Sequence, residues 1–447
     1  MDQSRIRQAL AEASDTRLVL IAAGALASVP STFVECFGSA TAVLVADETT
    51  YDLAGHDLQA RLAAAGIRTE TPVVFPSRPQ LYAEEANVLV LQTALQGRAA
   101  IPIVVGSGTL NDLTKLAAHR SGRPYMVVAT AASMDGYTAF GAAITRDGFK
   151  QTMACPAPRA LVGDLDLLAT APPAMTAAGY ADLLGKVTAG ADWIIADALA
   201  VEPIDRRAWS LVQDSLRAWT GDPEALRRGD RDALGQLLEG LILTGLAMQT
   251  HQTSRPASGS EHQFSHYWEM QETAHGAVSH GFKVGVGSLA SAAMYERVLA
   301  RDLSRIDPDT ICAGWPTWAE LEARIAQSHH TPALIAKARE QSLAKHLDAG
   351  ALRQRLVRVQ QCWPELRLEL QRQLLPAEAL QSLLSAVACP TTPEAIGHTR
   401  AELRHTYTAA RQVRSRYTVL DLAVETGCFD AVVDELFASG GYWGSRT

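Results

Sequence analysis

Over the first third of the chain, short apolar runs alternate with longer stretches in which apolar residues recur at helical spacing. Beyond about residue 170 only the second pattern persists. LVLIAA (18–23), TAVLVAD (41–47), TPVVFP (71–76), IPIVVG (101–106) and YMVVAT (125–130) are apolar without polar alternation, which predicts strands buried on both faces. Segments such as YDLAGHDLQARLAAAG (51–66) supply helices between them, so the alternation predicts a parallel α/β sheet with crossover helices. Farther along, ALGQLLEGLILTGLAMQ (233–249) predicts a buried helix, and the apolar end at 417–443 predicts helices packed on the body. Pro172 and Pro173 break both helix and ladder. The expected fold class is therefore an α/β domain over 1–170 followed by an all-α domain over 171–447.

Composition narrows the function classes. A chain of 447 residues with 47% hydrophobic content is long enough for a large core, and a length of two to three domains is expected. A net charge of −8 and a pI near 5.9 give no general attraction to phosphate backbones, so no nucleic-acid partner is expected. The Arg-rich stretch from Arg353 to Arg372 alternates with Leu, Val and Glu at helical spacing and reads as a solvated helix face. Six cysteines without a C-x-x-C pair suit a reducing cytoplasm. The apolar stretch at 18–29 follows Asp2, Glu12 and Asp15 and is too short to span a bilayer, so neither a leader nor a membrane partner is expected.

The chemistry concentrates in a few separated segments. Gly106, Ser107, Gly108, Thr109 and Leu110 end an apolar run and open a helix, where backbone N–H groups favour a pyrophosphate. A third glycine is missing from that turn, and Lys115 is misplaced for a P-loop. Asp47 closes the second apolar run and can accept from a ribose hydroxyl or cap a turn. Thr130, Ser133 and Asp135 follow the fifth run, at the edge where open α/β sheets bind ligands. Asp182 stands four residues before Lys186, the spacing of a helix ion pair. His262, His266, His275 and His280 fall within nineteen residues. One carboxylate with two of these imidazoles would leave open coordination positions on a Lewis-acid metal, and residue types alone do not choose the two.

GSGTLNDLTK, TAASMDGY, MTAAGYADLLGKVTAGADW, SGSEHQFSH and HGFKVGVG resemble, in that order, the motifs of the sn-glycerol-1-phosphate dehydrogenases. That group, archaeal enzymes with bacterial relatives, lies in the iron-containing alcohol dehydrogenase, glycerol dehydrogenase and dehydroquinate synthase superfamily. The resemblance implies a dehydroquinate synthase-like fold, with a dinucleotide-binding domain, a helical metal- and substrate-binding domain, and an active site in the cleft between them. Carried over, Gly106 to Leu110 would hold the phosphates of NAD or NADP, Thr130 and Ser133 would meet the nicotinamide side, and Asp47 would take the adenosine ribose. Asp182, His262 and His280 would hold one divalent metal, zinc, nickel or iron, while Asp135, Asp182 and His266 would face the substrate. Two departures stand out: Ala132 replaces the family's proline, and Ala139 occupies the position of the serine that contacts NAD.

The implied reaction is reduction of dihydroxyacetone phosphate to sn-glycerol 1-phosphate, by a homo-oligomeric cytoplasmic enzyme acting on a small phosphorylated substrate. Lys150, Lys186 and Lys283 are candidate donors to the substrate phosphate. A sugar-phosphate cyclase is the first rival, disfavoured because Asp182 stands where such enzymes carry Glu. A glycerol-type polyol dehydrogenase and an inactive nucleotide-binding relative are the others.

Overall fold

Each of the five apolar runs folds as a strand in the computed structural model, which describes residues 4–146, 149–271 and 278–444. They are β1 (Leu18–Ala22), β2 (Ala42–Asp47), β3 (Val73–Phe75), β4 (Ile101–Gly106) and β5 (Met126–Ala129). Two strands of a hairpin follow, β6 (Ala142–Arg146) and β7 (Phe149–Met153), and then β8 (Ala160–Asp164). The main sheet is six-stranded and parallel, in the order β1-β8-β5-β4-β2-β3, and the hairpin stands apart as an antiparallel pair. Every residue of β5 and β8 is buried, as is all of β4 after its first residue, because helices cover both faces of a crossover sheet. Leu44, Val105, Val128 and Val162 from four strands share one core with Phe33 and Leu58.

β8 does not stand out in the hydrophobic pattern. Its apolar run is cut short by Gly163, where an added Cβ would overlap the Leu238 side chain. A helix from Arg231 to His251 packs there so closely that the strand loses a side chain at that position. Register aligns Gly106 with Ala129, and Ala129 with Gly163, so the carboxyl ends of these strands form one edge. The expected helix over 51–66 opens with a wide π turn at Tyr51–Gly55 before the α-helix His56–Ala64.

Two compact units divide the chain. The first comprises Met1–Leu183 and Arg207–Ala257, and the second Leu184–Arg206 and Ser258–Thr447. The chain thus leaves the first unit and returns to it. The returning segment holds the Arg231–His251 helix, which is buried almost throughout from Leu234 to Gln249. Gln249 secures it: its Oε1 accepts from the Asp15 N–H at 2.8 Å, and its Nε2 donates to Thr16 Oγ1 and to the Thr138 carbonyl, each at 3.0 Å.

All described elements of the second unit are helical. Asp192, on the Lys186–Ala198 helix and fully buried, organises three of them. It accepts from the Ser260 N–H at 2.6 Å, the Val419 N–H at 2.7 Å and the Tyr295 hydroxyl at 2.6 Å. Ser260 and Val419 are the first residues of their helices, so one carboxylate meets two helix N-termini, where negative charge is favoured. Burial, then the neighbouring Glu261 charge, pushes its pKa up to about 6 against those hydrogen bonds. The Arg-rich stretch is the Ala349–Gln373 helix. Leu352, Leu356, Val359, Trp363, Leu366 and Leu370 form its buried stripe, and Arg353 pairs with Asp309 at 2.8 Å on the exposed face. Among the described residues, no helix is long and apolar enough to cross a membrane. All six cysteines are free thiols.

Candidate active site

At the carboxyl edge of β4 the chain turns at Gly106 and Ser107 into the Gly108–Arg120 helix. The first helical bond closes from the Asn111 N–H to the Ser107 carbonyl at 2.9 Å, so the N–H groups just before it project from the helix end. Ser107 makes no side-chain capping bond. A side chain at Gly106 would overlap Leu110, and one at Gly108 would press on Met134, so glycine at both positions keeps this end bare backbone. Thr130 continues from β5 on the same edge, its N–H bonded to the Gly106 carbonyl at 3.1 Å. Ser133 and Asp135 follow in the same loop.

That loop is held from below by a buried cation. Lys115 is 1% exposed, and its ammonium donates to the carbonyls of Gly136, Ala139 and Gly141 at 2.9, 2.9 and 3.0 Å. Burial pulls its pKa down, partly offset by Asp112. Three oxygens use all three donors of an ammonium, so the lysine that fits no P-loop acts here as a clamp on the 136–141 segment. Thr138 adds a tie, donating to the Ile242 carbonyl at 2.7 Å. The Pro173–Leu184 helix lies directly on the loop, since a Cβ at Gly179 would overlap the Ala132 carbonyl oxygen. Near its end Asp182, fully buried, accepts from the Asp135 N–H at 3.2 Å.

In the second unit, His262 and His266 lie four apart on the Ser260–Gln271 helix, and His280 opens the His280–Leu299 helix. Their rings cluster with centroids 5.8, 5.4 and 6.0 Å apart. Hydrogen-bond partners separate their roles. His262 Nδ1 lies 2.8 Å from Glu261 Oε1, and His280 Nδ1 lies 2.7 Å from Glu269 Oε1. A carboxylate only accepts, so in both rings Nδ1 carries the proton and Nε2 presents a lone pair. His266 is the reverse: Arg414 Nε donates to its Nδ1 at 3.3 Å, which leaves the proton of the neutral ring on Nε2. Burial, reinforced by the Arg414 charge, holds its pKa well below the ordinary histidine range, so it is neutral at pH 7.

Glu261 is itself fixed, its Oε2 accepting from Thr188 Oγ1 at 2.8 Å and its Oε1 from the Gly259 N–H at 2.6 Å. Two imidazoles oriented by carboxylates, each offering Nε2, are a donor set that suits a divalent transition metal. Glu261, Glu269 and Arg414 do not stand out in the amino-acid sequence. The signal for Glu261 was its place next to His262 in SEHQFSHYWE, whereas Glu269 meets His280 eleven residues farther on and gave no such signal. Arg414 lies far along the chain and left none.

The other expected residues take varied places. Asp47 caps the turn after β2, with Oδ1 accepting from the Thr50 N–H at 2.7 Å and Thr50 Oγ1 at 2.9 Å. Ala139 is nearly buried and offers its carbonyl to Lys115. Lys186 and Lys283 are buried, and Lys150 sits in β7. His275 lies outside the described residues.

A parallel sheet with a glycine turn at its carboxyl edge, joined to helices bearing paired imidazoles, defines a class. Residues 20–172 match the family model of iron-containing alcohol dehydrogenases. Glycerol dehydrogenase from Schizosaccharomyces pombe shares the fold, with a TM-score of 0.59 over 94% of this chain and 90% of that one at 16% identity. The chain belongs, within that class, to the glycerol-1-phosphate dehydrogenase family. It is 36% identical to glycerol-1-phosphate dehydrogenase [NAD(P)+] of Halalkalibacterium halodurans, over 57% of this chain and 64% of the relative. With the Bacillus velezensis enzyme of the same name it shares 36% identity over 60% of this chain and 68% of the relative. The match thus spans about two thirds of these relatives' own length.

Proposed function

We propose that this protein reduces dihydroxyacetone phosphate to sn-glycerol 1-phosphate with NADH or NADPH. The observation that carries the reading is the opposed arrangement of imidazole protons: two rings present a bare Nε2 and the third presents Nε2–H. Asp182, His262 and His280 would hold a divalent cation, as one carboxylate and two imidazoles suit a Lewis-acid metal with open positions. When bound, the cation would polarise the ketone and the nicotinamide would deliver hydride.

The chain's own residues position and protonate. Gly106 to Leu110 offer backbone donors to the dinucleotide phosphates, with Thr130, Ser133 and the Ala139 segment beside the nicotinamide and Asp47 toward the ribose. Asp135 orients the substrate beside Asp182. His266 Nε2–H would donate to the oxygen that gains a proton. Segment 1–170 would bind the nucleotide and 171–447 the metal and substrate, in a cytoplasmic homo-oligomer, as the resemblance implies. Support for the substrate comes from the names of the relatives and for the metal from the donor set.

The test is loss of NADH or NADPH absorbance by metal-reconstituted protein with dihydroxyacetone phosphate, beside dihydroxyacetone as control. Oxidation that needs the phosphate and stops on chelation is the expected result. Metal-loaded protein that leaves the cofactor unoxidised with both substrates would refute the reading.

A further inference from the structure

We propose that Arg414 holds the phosphate of the substrate. The inference rests on the reduction proposed above and assigns the anchor for the anionic end of that substrate. A phosphate dianion is best met by a guanidinium, whose planar fork offers paired N–H donors. The lysines that sequence suggested are poorly placed for the task, since Lys186 and Lys283 are 0% and 2% exposed and all three are engaged in the protein's own interactions.

Arg414 differs from them in what remains unspent. It is only partly buried, and Nε–H is donated to His266. Among the described residues its two Nη groups make no hydrogen bond. Its charge lies near Glu269, whose Oε1 meets the His280 ring at 2.7 Å. Burial lowers the guanidinium pKa, and Glu269 offsets only part of the effect. The site therefore holds a guanidinium with unspent N–H donors beside the ring expected to reach the ketone oxygen. In dihydroxyacetone phosphate only a methylene and an ester oxygen separate the ketone carbon from the phosphorus, so the two ends fall to adjacent side chains.

The position is also rigid. Arg414 opens the extended segment between the Arg400–Gln412 and Val419–Glu425 helices, and hydrogen bonds pin that segment. Ser415 N–H donates to Gln341 Oε1 at 2.9 Å, Gln263 Nε2 donates to the Arg416 carbonyl at 2.9 Å, and Arg416 Nη1 donates to the Ser258 carbonyl at 2.8 Å. Gln263 lies between His262 and His266 in sequence, so the helix that carries both rings also fixes the arginine. Such a site is preorganised before ligand arrives.

Arg414→Gln and Arg414→Lys, loaded with metal, test the assignment by kcat/KM for phosphorylated and free dihydroxyacetone and by the rise in Tm that inorganic phosphate produces. Arg414→Gln should lose about 10- to 100-fold in kcat/KM for the phosphorylated substrate, chiefly through KM, with a smaller loss on the free ketone. It should also lose the phosphate-induced rise in Tm, and Arg414→Lys should recover part of both. Equal losses on the two substrates, or an unchanged response to phosphate, would overturn the proposal. If the wild type reduces neither ketone, the reaction proposed above fails, while the response to inorganic phosphate still decides the role of Arg414.

Discussion

A carboxylate bonded to one nitrogen of an imidazole decides what the other nitrogen can do, and in this protein that choice is made separately for each ring. Glu261 and Glu269 leave His262 and His280 presenting a lone pair at Nε2, whereas Arg414 leaves His266 presenting an N–H there. Glu269→Gln should therefore weaken metal binding by about 10- to 100-fold, because an amide can satisfy either ring tautomer and no longer enforces the ligating one. Metal titration of the purified variant measures this, and an affinity equal to that of the wild type would refute the orienting role. Sequence alone showed the cluster of histidines but not their division of labour. Proton placement depends on partners brought in by helix geometry, and for His266 the partner lies 148 residues away. Lys115 was unreadable for a similar reason: its partners are three loop carbonyls, and backbone oxygens carry no sequence signature.

At the scale of elements, legibility followed burial. β2, β4 and β5 are covered on both faces and stood out as apolar runs, as did the long helix Arg231–His251. The hairpin β6–β7 did not, since Thr145, Arg146, Lys150, Gln151 and Thr152 break any apolar run, and β8 was masked by the glycine that makes room for Leu238. The order of strands in the sheet is set by long-range packing and lay beyond reach. Asp192 shows how an element junction can carry a pH signature. Its carboxyl titrates near 3.8 when unfolded and at about 6 when folded, so between those values the folded protein holds the extra proton. Stability contributed by this group is then full below the lower value and lost as pH rises through the upper one. Wild-type stability relative to Asp192→Asn should fall by about 1 to 3 kcal/mol between about pH 4 and about pH 7. Urea unfolding of both proteins across that range is the check, and parallel curves would show that Asp192 does not titrate there.

For the molecule as a whole, the amino-acid pattern revealed an α/β part followed by a helical part, but not that the chain quits its first unit after Leu183 and rejoins it at Arg207. That return has a consequence in time. On the ribosome, the sheet emerges early, yet the helix that covers β8 and secures Thr16 and Thr138 through Gln249 is made later, after residues belonging to the other unit. A fragment ending at residue 183 should accordingly show no cooperative thermal transition by circular dichroism, and a sharp transition from it would contradict this view. During synthesis the early strands wait with one flank uncovered, so the interval before residue 257 emerges is when this chain most needs a holding partner.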